Sequence, residues 1–226
     1  MVSQQTDSPR SSLTQWMTPA LVAAGIALLA AAATHRAGIE LTEAAGFVTG
    51  GLTVWLLVRQ NIWNWPIGIA NNLIFGVLFY NQRLYADMTL QLFFLLLSFY
   101  GWISWLRGKT GEGGLRVTRT PLQTAIVCAG IGIVATWAAT LYLTRINDSA
   151  PFLDALTTVM SLIAQYLMTR KYLENWTIWI VVDIISIGLY SSKHLYLTSV
   201  LFAIYIAMCT VGAIEWRRSF VRATHA

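Results

Sequence analysis

The sequence predicts an all-α, polytopic membrane protein of eight transmembrane helices, an N-terminal helix followed by two three-helix units with a linking helix between them. Three observations carry this. Of the 226 residues, 56% are hydrophobic and 11% charged, against about 25% charged in a soluble domain. Eight apolar segments approach the roughly 20 residues needed to cross a hydrocarbon core of about 30 Å. The chain also matches itself without a gap at a displacement of 111 residues, 43–107 against 154–218.

The first 18 residues are polar and lack a compact basic region leading to a small-residue cleavage site, so a short cytoplasmic tail is expected there. Apolar segments follow at 19–34, 42–58, 64–80, 87–106, 121–144, 152–169, 176–191 and 196–215. The third and seventh are short and carry polar groups, which places them inside the bundle, where neighbouring helices shield what lipid would not. The expected organisation is a tail (1–18), a peripheral transmembrane helix (19–41), a first three-helix repeat (42–107), a loop and linking helix (108–146), a second repeat (147–218) and a tail (219–226).

Orientation follows from the basic residues, because short cytoplasmic loops carry the excess of Lys and Arg. Eleven lie on the side of the N-terminus, among them Arg59, Arg107, Arg170, Lys171, Arg217, Arg218 and Arg222, and four on the other: Arg36, Arg83, Arg145 and Lys193. Eight spans then place both termini in the cytoplasm. The scatter of these residues at span ends, rather than in one stripe, argues against a nucleic-acid partner.

In the repeat, Arg59 meets Arg170, Asn64-Trp65 meets Asn175-Trp176, Gly101 meets Gly212, Trp105 meets Trp216 and Arg107 meets Arg218. A three-helix unit repeats in the same orientation only if one more helix intervenes, which 121–144 supplies. Parallel repeats about an axis along the membrane normal are expected.

Polar groups at membrane depth need a partner or a task. Trp179, Asp183, Ser186 and Tyr190 share one helical face, and the displacement maps Asp183 onto Asn72. Gln91 is the deepest amide of the fourth span. Asn71 reads either as interhelical glue or as a ligand contact. Asp87 and Asp154, at helix starts, read as favourable charges on free N–H groups. Trp63, Trp65, Trp105, Trp176 and Trp216, near span ends, are expected in an interfacial aromatic belt. The expected ligand site lies between the halves near Asn72, Gln91 and Asp183, walled by Trp55, Trp179, Tyr190 and Tyr205. Cys128 and Cys209 have neither disulfide nor metal-ligand spacing and are expected as packing residues. With no nucleophile–base pair, phosphate loop or dinucleotide fingerprint, and His35, His194 and His225 in loops or the tail, no enzymatic activity, cofactor or metal is expected.

The stretch Trp65-Pro66-Ile67-Gly68, then Leu84-Tyr85-Ala86-Asp87-Met88, Leu90-Gln91 and Tyr100-Gly101-Trp102 to Trp105, resembles the PnuC nicotinamide riboside transporters. The second half does so through Asn175-Trp176, Asp183, Leu189-Tyr190, Lys193, Leu195-Tyr196 and Gly212 to Trp216. That resemblance, over about 43–218, implies a SWEET-like fold and a homotrimer. It also implies facilitated uptake of nicotinamide riboside across a bacterial inner membrane, feeding NAD synthesis once a cytoplasmic kinase traps the riboside. Same-fold carriers of thiamine or riboflavin, or a non-transporting membrane subunit, are the alternatives.

Overall fold

The computed structural model describes residues 41–81, 83, 85–110, 115–192 and 196–224. The first expected span (19–34), the tail before it and Lys193 lie outside the described residues. Seven helices make up the described chain, α1 (Leu41–Val58), α2 (Asn64–Asn81), α3 (Tyr85–Thr110), α4 (Leu122–Arg145), α5 (Pro151–Thr169), α6 (Asn175–Ser192) and α7 (Tyr196–Thr224). They answer to the second through eighth expected spans. Among the described residues there is no strand, only an isolated parallel bridge between Thr118 and Tyr172. Asp87–Gly108, Leu122–Arg145, Pro151–Thr169 and Ser199–Thr224 are long and apolar enough to cross a membrane.

Consecutive helices pack within α1–α2–α3 and within α5–α6–α7, and the two units meet where α3 lies on α5 and α1 on α7. α2 and α6, expected inside the bundle, are only partly enclosed. Leu73, Val77 and Tyr80 of α2 and Val181 and Ile184 of α6 face outward. Of their polar residues, Asn64, Asn175, Asp183 and Ser186 are nevertheless buried. α4 packs chiefly on α5 and exposes Leu122, Ile126, Ile133, Val134 and Trp137, an apolar surface suited to lipid rather than water.

The core gathers where α1 and α5 end and α2 and α6 begin. Trp65, Trp105, Trp176 and Trp216 are each 0–2% exposed and pack with Leu57, Val58, Val117, Met168 and Cys209. The belt expected for these four tryptophans is therefore replaced by burial, and of the five expected there only Trp63, 62% exposed, is outward-facing. The cause is local. Gly101 and Gly212 leave no Cβ, so the Trp65 and Trp176 rings lie directly against the helix backbones of α3 and α7. Trp65 then meets Trp105, and Trp176 meets Trp216, in edge-to-face pairs with centroids 5.4 Å apart, an arrangement aromatic quadrupoles favour.

Ahead of α4 the chain is pinned to the second unit. The Thr118 N–H donates to the Lys171 carbonyl and the Leu173 N–H to the Thr118 carbonyl, while Glu174 accepts from the Thr120 N–H at 2.8 Å and the Thr120 hydroxyl at 2.7 Å. Glu174→Ala leaves both donors without that acceptor. It should lower stability by about 1–3 kcal/mol, read as a lower unfolding midpoint in detergent; an unchanged midpoint would mean the clasp carries no load.

Candidate functional site

Corresponding polar pairs occupy the two units. In the first, the Asn72 amide donates to Ser98 Oγ at 3.2 Å, tying α2 to α3. In the second, the residues 111 positions on are Asp183 and Cys209, and Cys209 Sγ donates to Asp183 Oδ2 at 3.8 Å, tying α6 to α7. Asp183 is 3% exposed and Cys209 5%. Cys209, expected only to pack, is thus the partner of the deepest acid. The displacement that carries Asn72 to Asp183 also carries Ser98 to Cys209, so the pairing is present in the sequence.

Asp183 does not stand alone. Tyr205 of α7 is close enough to interact electrostatically with both Asp183 and Cys209. Phe202 sets its ring edge-on to Tyr205 at 6.1 Å and stacks on Tyr190 at 5.4 Å. Tyr190, Phe202 and Tyr205 therefore form one aromatic group, with Phe202 as a member that sequence reading left out, and Asp183 acts on it electrostatically through Tyr205. Across the interface between units, the Tyr205 hydroxyl faces Gly50 of α1, where a Cβ would lie 3.4 Å from it. Asn71 approaches the same glycine and donates to the Gly46 carbonyl at 2.7 Å and to Thr49 Oγ1 at 2.9 Å. Of its two readings, interhelical glue is the one these bonds describe.

Gln91 of α3 is half-buried and lies over Gly76, one helical turn beyond Asn72 on α2. Trp55 and Trp179 are placed toward the other end: Trp55 is buried under the Arg59 guanidinium, 5.1 Å from its ring, and Trp179 packs against the tryptophan core. Among the described contacts, none joins these two to Asp183, Asn72 or Gln91. Asp154 and Asp87 fall in the first turns of α5 and α3, where negative charge is favourable, and both act electrostatically on Tyr190.

A separate groove of about 670 Å³ runs between α4 and α5, lined by Cys128, Gly132, Thr136, Val159, Ile163 and Leu167 among others. None of the seven expected site residues lines it, and its walls are almost wholly apolar. Among the described residues no group of three or more His, Cys, Asp or Glu side chains is placed to hold a metal ion.

At the arginine-rich end the units are tied to each other. Trp216 Nε1 donates to the Leu57 carbonyl at 3.1 Å, the Trp105 and Trp216 rings lie 6.3 Å apart, and Lys171 Nζ donates to Gln60 Oε1 at 3.3 Å while standing 4.3 Å over the Trp105 ring. Arg170 is held above its ordinary range by hydrogen bonds with Tyr172 and, from the other unit, Tyr100.

The family described as the nicotinamide mononucleotide transporter matches residues 40–218. The nicotinamide riboside transporter PnuC of Escherichia coli K12 is 30% identical, the match covering 78% of this chain and 85% of that protein. The riboflavin/roseoflavin transporter RibM of Streptomyces davaonensis is 27% identical over 77% of this chain and 84% of its own. A crystal structure of the vitamin B3 transporter PnuC superposes with a TM-score of 0.68, covering 89% of this chain and 92% of that one; at 23% identity it speaks to the fold. With apolar helices in this arrangement and a family match over most of its length, the chain is a multi-pass membrane protein that belongs to the nicotinamide mononucleotide transporter family, that of the PnuC proteins.

Proposed function

We propose that the protein takes up nicotinamide riboside across a bacterial inner membrane as a facilitator, with cytoplasmic phosphorylation as the trap that feeds NAD synthesis. The observation that carries the reading is the buried Asp183, bonded to the Cys209 thiol and acting electrostatically on Tyr205 of the aromatic group Tyr205–Phe202–Tyr190. Nicotinamide riboside is a flat pyridinium cation with a ribose and a carboxamide. Rings suit a flat cation, a carboxylate balances its charge, and the amides of Asn72 and Gln91 suit its hydroxyls and carboxamide. Trp55 and Trp179 complete the proposed site toward the arginine-rich end.

In this reading 42–107 and 147–218 are parallel repeats that rock against each other around the ligand, with residues 19–41 a peripheral helix and both termini cytoplasmic. Support comes from two contacts between residues in equivalent positions, Gln60 with Lys171 and Trp105 with Trp216. Both lie at one end of the helices. An axis in the membrane plane would send equivalent residues to opposite faces everywhere except mid-depth, so these contacts favour an axis along the membrane normal. A homotrimer completes the proposal.

The second reading is riboflavin, favoured by the relative from Streptomyces davaonensis. Isothermal titration of the purified protein with nicotinamide riboside, thiamine and riboflavin, paired with uptake into protein-only liposomes, separates the cases. Binding and uptake of the riboside alone are expected. Preference for another vitamin would move the substrate, and loss of all uptake would favour a non-transporting subunit.

A further inference from the structure

α1 and α5 end in the same way. Past Val58, Gln60 adopts φ 53°, and past Thr169, Lys171 adopts φ 54°. The Gln60 N–H donates to the Leu57 carbonyl and the Asn61 N–H to that of Leu56, and Lys171 and Tyr172 repeat the pattern on Met168 and Leu167. This is the Schellman closure, whose left-handed position is ordinarily glycine because any Cβ there is strained. Neither unit uses glycine. The two strained side chains reach across the interface to each other instead, Lys171 Nζ on Gln60 Oε1 at 3.3 Å and over the Trp105 face at 4.3 Å. α4 closes likewise on a non-glycine, Asn147 at φ 58°, so what sets Gln60 and Lys171 apart is that side chains at equivalent positions meet across the units, and that meeting points to a task for the contact.

We infer that the Lys171–Gln60–Trp105 contact is a latch that holds shut the arginine-rich end of the passage between the two units, and that this structure shows it closed. The task is not packing alone, since the four tryptophans beneath are already 0–2% exposed. An ammonium bonded to a neutral amide and an indole face makes a charge-assisted tie, one of several between the units at this end beside Trp216 on the Leu57 carbonyl and Arg170 with Tyr100, strong enough to help hold a gate and weak enough to release it. The chemistry is asymmetric although the positions are equivalent: one donor and one acceptor make the tie, whereas two glutamines or two lysines would lose its charge assistance or repel. The cation between the units at this end also opposes a cationic ligand while the gate is shut, a point that rests on the riboside reading; the latch itself rests only on the two units moving against each other.

The test reads the opening without a substrate. Spin labels at Leu106→Cys and Arg217→Cys, equivalent exposed positions on α3 and α7, in a Cys128→Ala, Cys209→Ser background in nanodiscs, report the separation of the helix ends by pulsed dipolar spectroscopy. The parent should show mainly the short distance of the closed end. Lys171→Gln should raise the longer-distance population about ten-fold, the ratio expected for one lost charge-assisted hydrogen bond, and the exchange Gln60→Lys with Lys171→Gln should return it to the parent value. An unchanged distribution in Lys171→Gln overturns the latch, and so does a lengthening that the exchange fails to reverse. Riboside uptake by the unlabelled parent is scored separately, so a wrong substrate and a wrong latch give different results.

Discussion

Replacing Asp183 with Ala is expected to weaken binding of nicotinamide riboside by about 10- to 100-fold, roughly 1.4–2.8 kcal/mol, while leaving the protein folded. The expectation follows from depth. A carboxylate 3% exposed acts on a cation through a medium of low dielectric, where each charge interaction is worth more than in water. Folding should survive, because the partner left behind is the Cys209 thiol at 3.8 Å, a weak donor whose loss of an acceptor costs little. Asp183→Asn sharpens the test. It keeps the shape and reproduces the Asn72 chemistry of the other unit, so a comparable loss assigns the effect to charge and recovery assigns it to hydrogen bonding. Titration calorimetry supplies the affinities and size-exclusion in detergent the fold. Parent-like affinity in both variants would take Asp183 out of the ligand site.

The helices were legible because apolar runs of about 20 residues have few other uses, and expected and observed boundaries agree closely for α1, α2, α5 and α6. They part at α3 and α7, expected at 87–106 and 196–215 but running Tyr85–Thr110 and Tyr196–Thr224. Hydropathy stops where the hydrocarbon stops, whereas backbone hydrogen bonding continues into polar sequence. Arg218 and Glu215 even pair three residues apart on the last turns of α7.

The burial of the tryptophans is illegible from span position for a different reason. At a span end, an indole in a belt and an indole in a core look alike in sequence; what separates them is whether the facing helix offers a glycine. Gly101 and Gly212 had already aligned with each other at the 111-residue displacement, and so had Trp65 with Trp176. Reading the two alignments together would have placed each ring on its glycine. The same holds for Ser98 with Cys209 and Gln60 with Lys171. By contrast, the clasp of Glu174 on Thr120 and the Thr118–Tyr172 bridge join segments about 54 residues apart that no periodicity or repeat connects, so local sequence had nothing to say about them.

The glycine–tryptophan contacts yield the second large effect. Gly101→Ala and Gly212→Ala should each destabilise the protein by about 1–3 kcal/mol, the usual cost of overpacking a filled core, although alanine is the better helix former by about 1 kcal/mol. A methyl at either position overlaps the ring of Trp65 or Trp176. Those rings have little room to retreat, since Trp105 and Trp216 stand edge-on to them at 5.4 Å and all four are buried. Gly188, also within a helix, has nothing within 4 Å of its would-be Cβ, and Gly188→Ala should be neutral or mildly stabilising. Unfolding midpoints of the three variants in one detergent decide the matter, because helix propensity moves all three the same way and only ring overlap moves two of them down. Were Gly101→Ala and Gly212→Ala to melt with Gly188→Ala, the two glycines would not be there to seat the indoles, and the burial of the tryptophan core would need another cause.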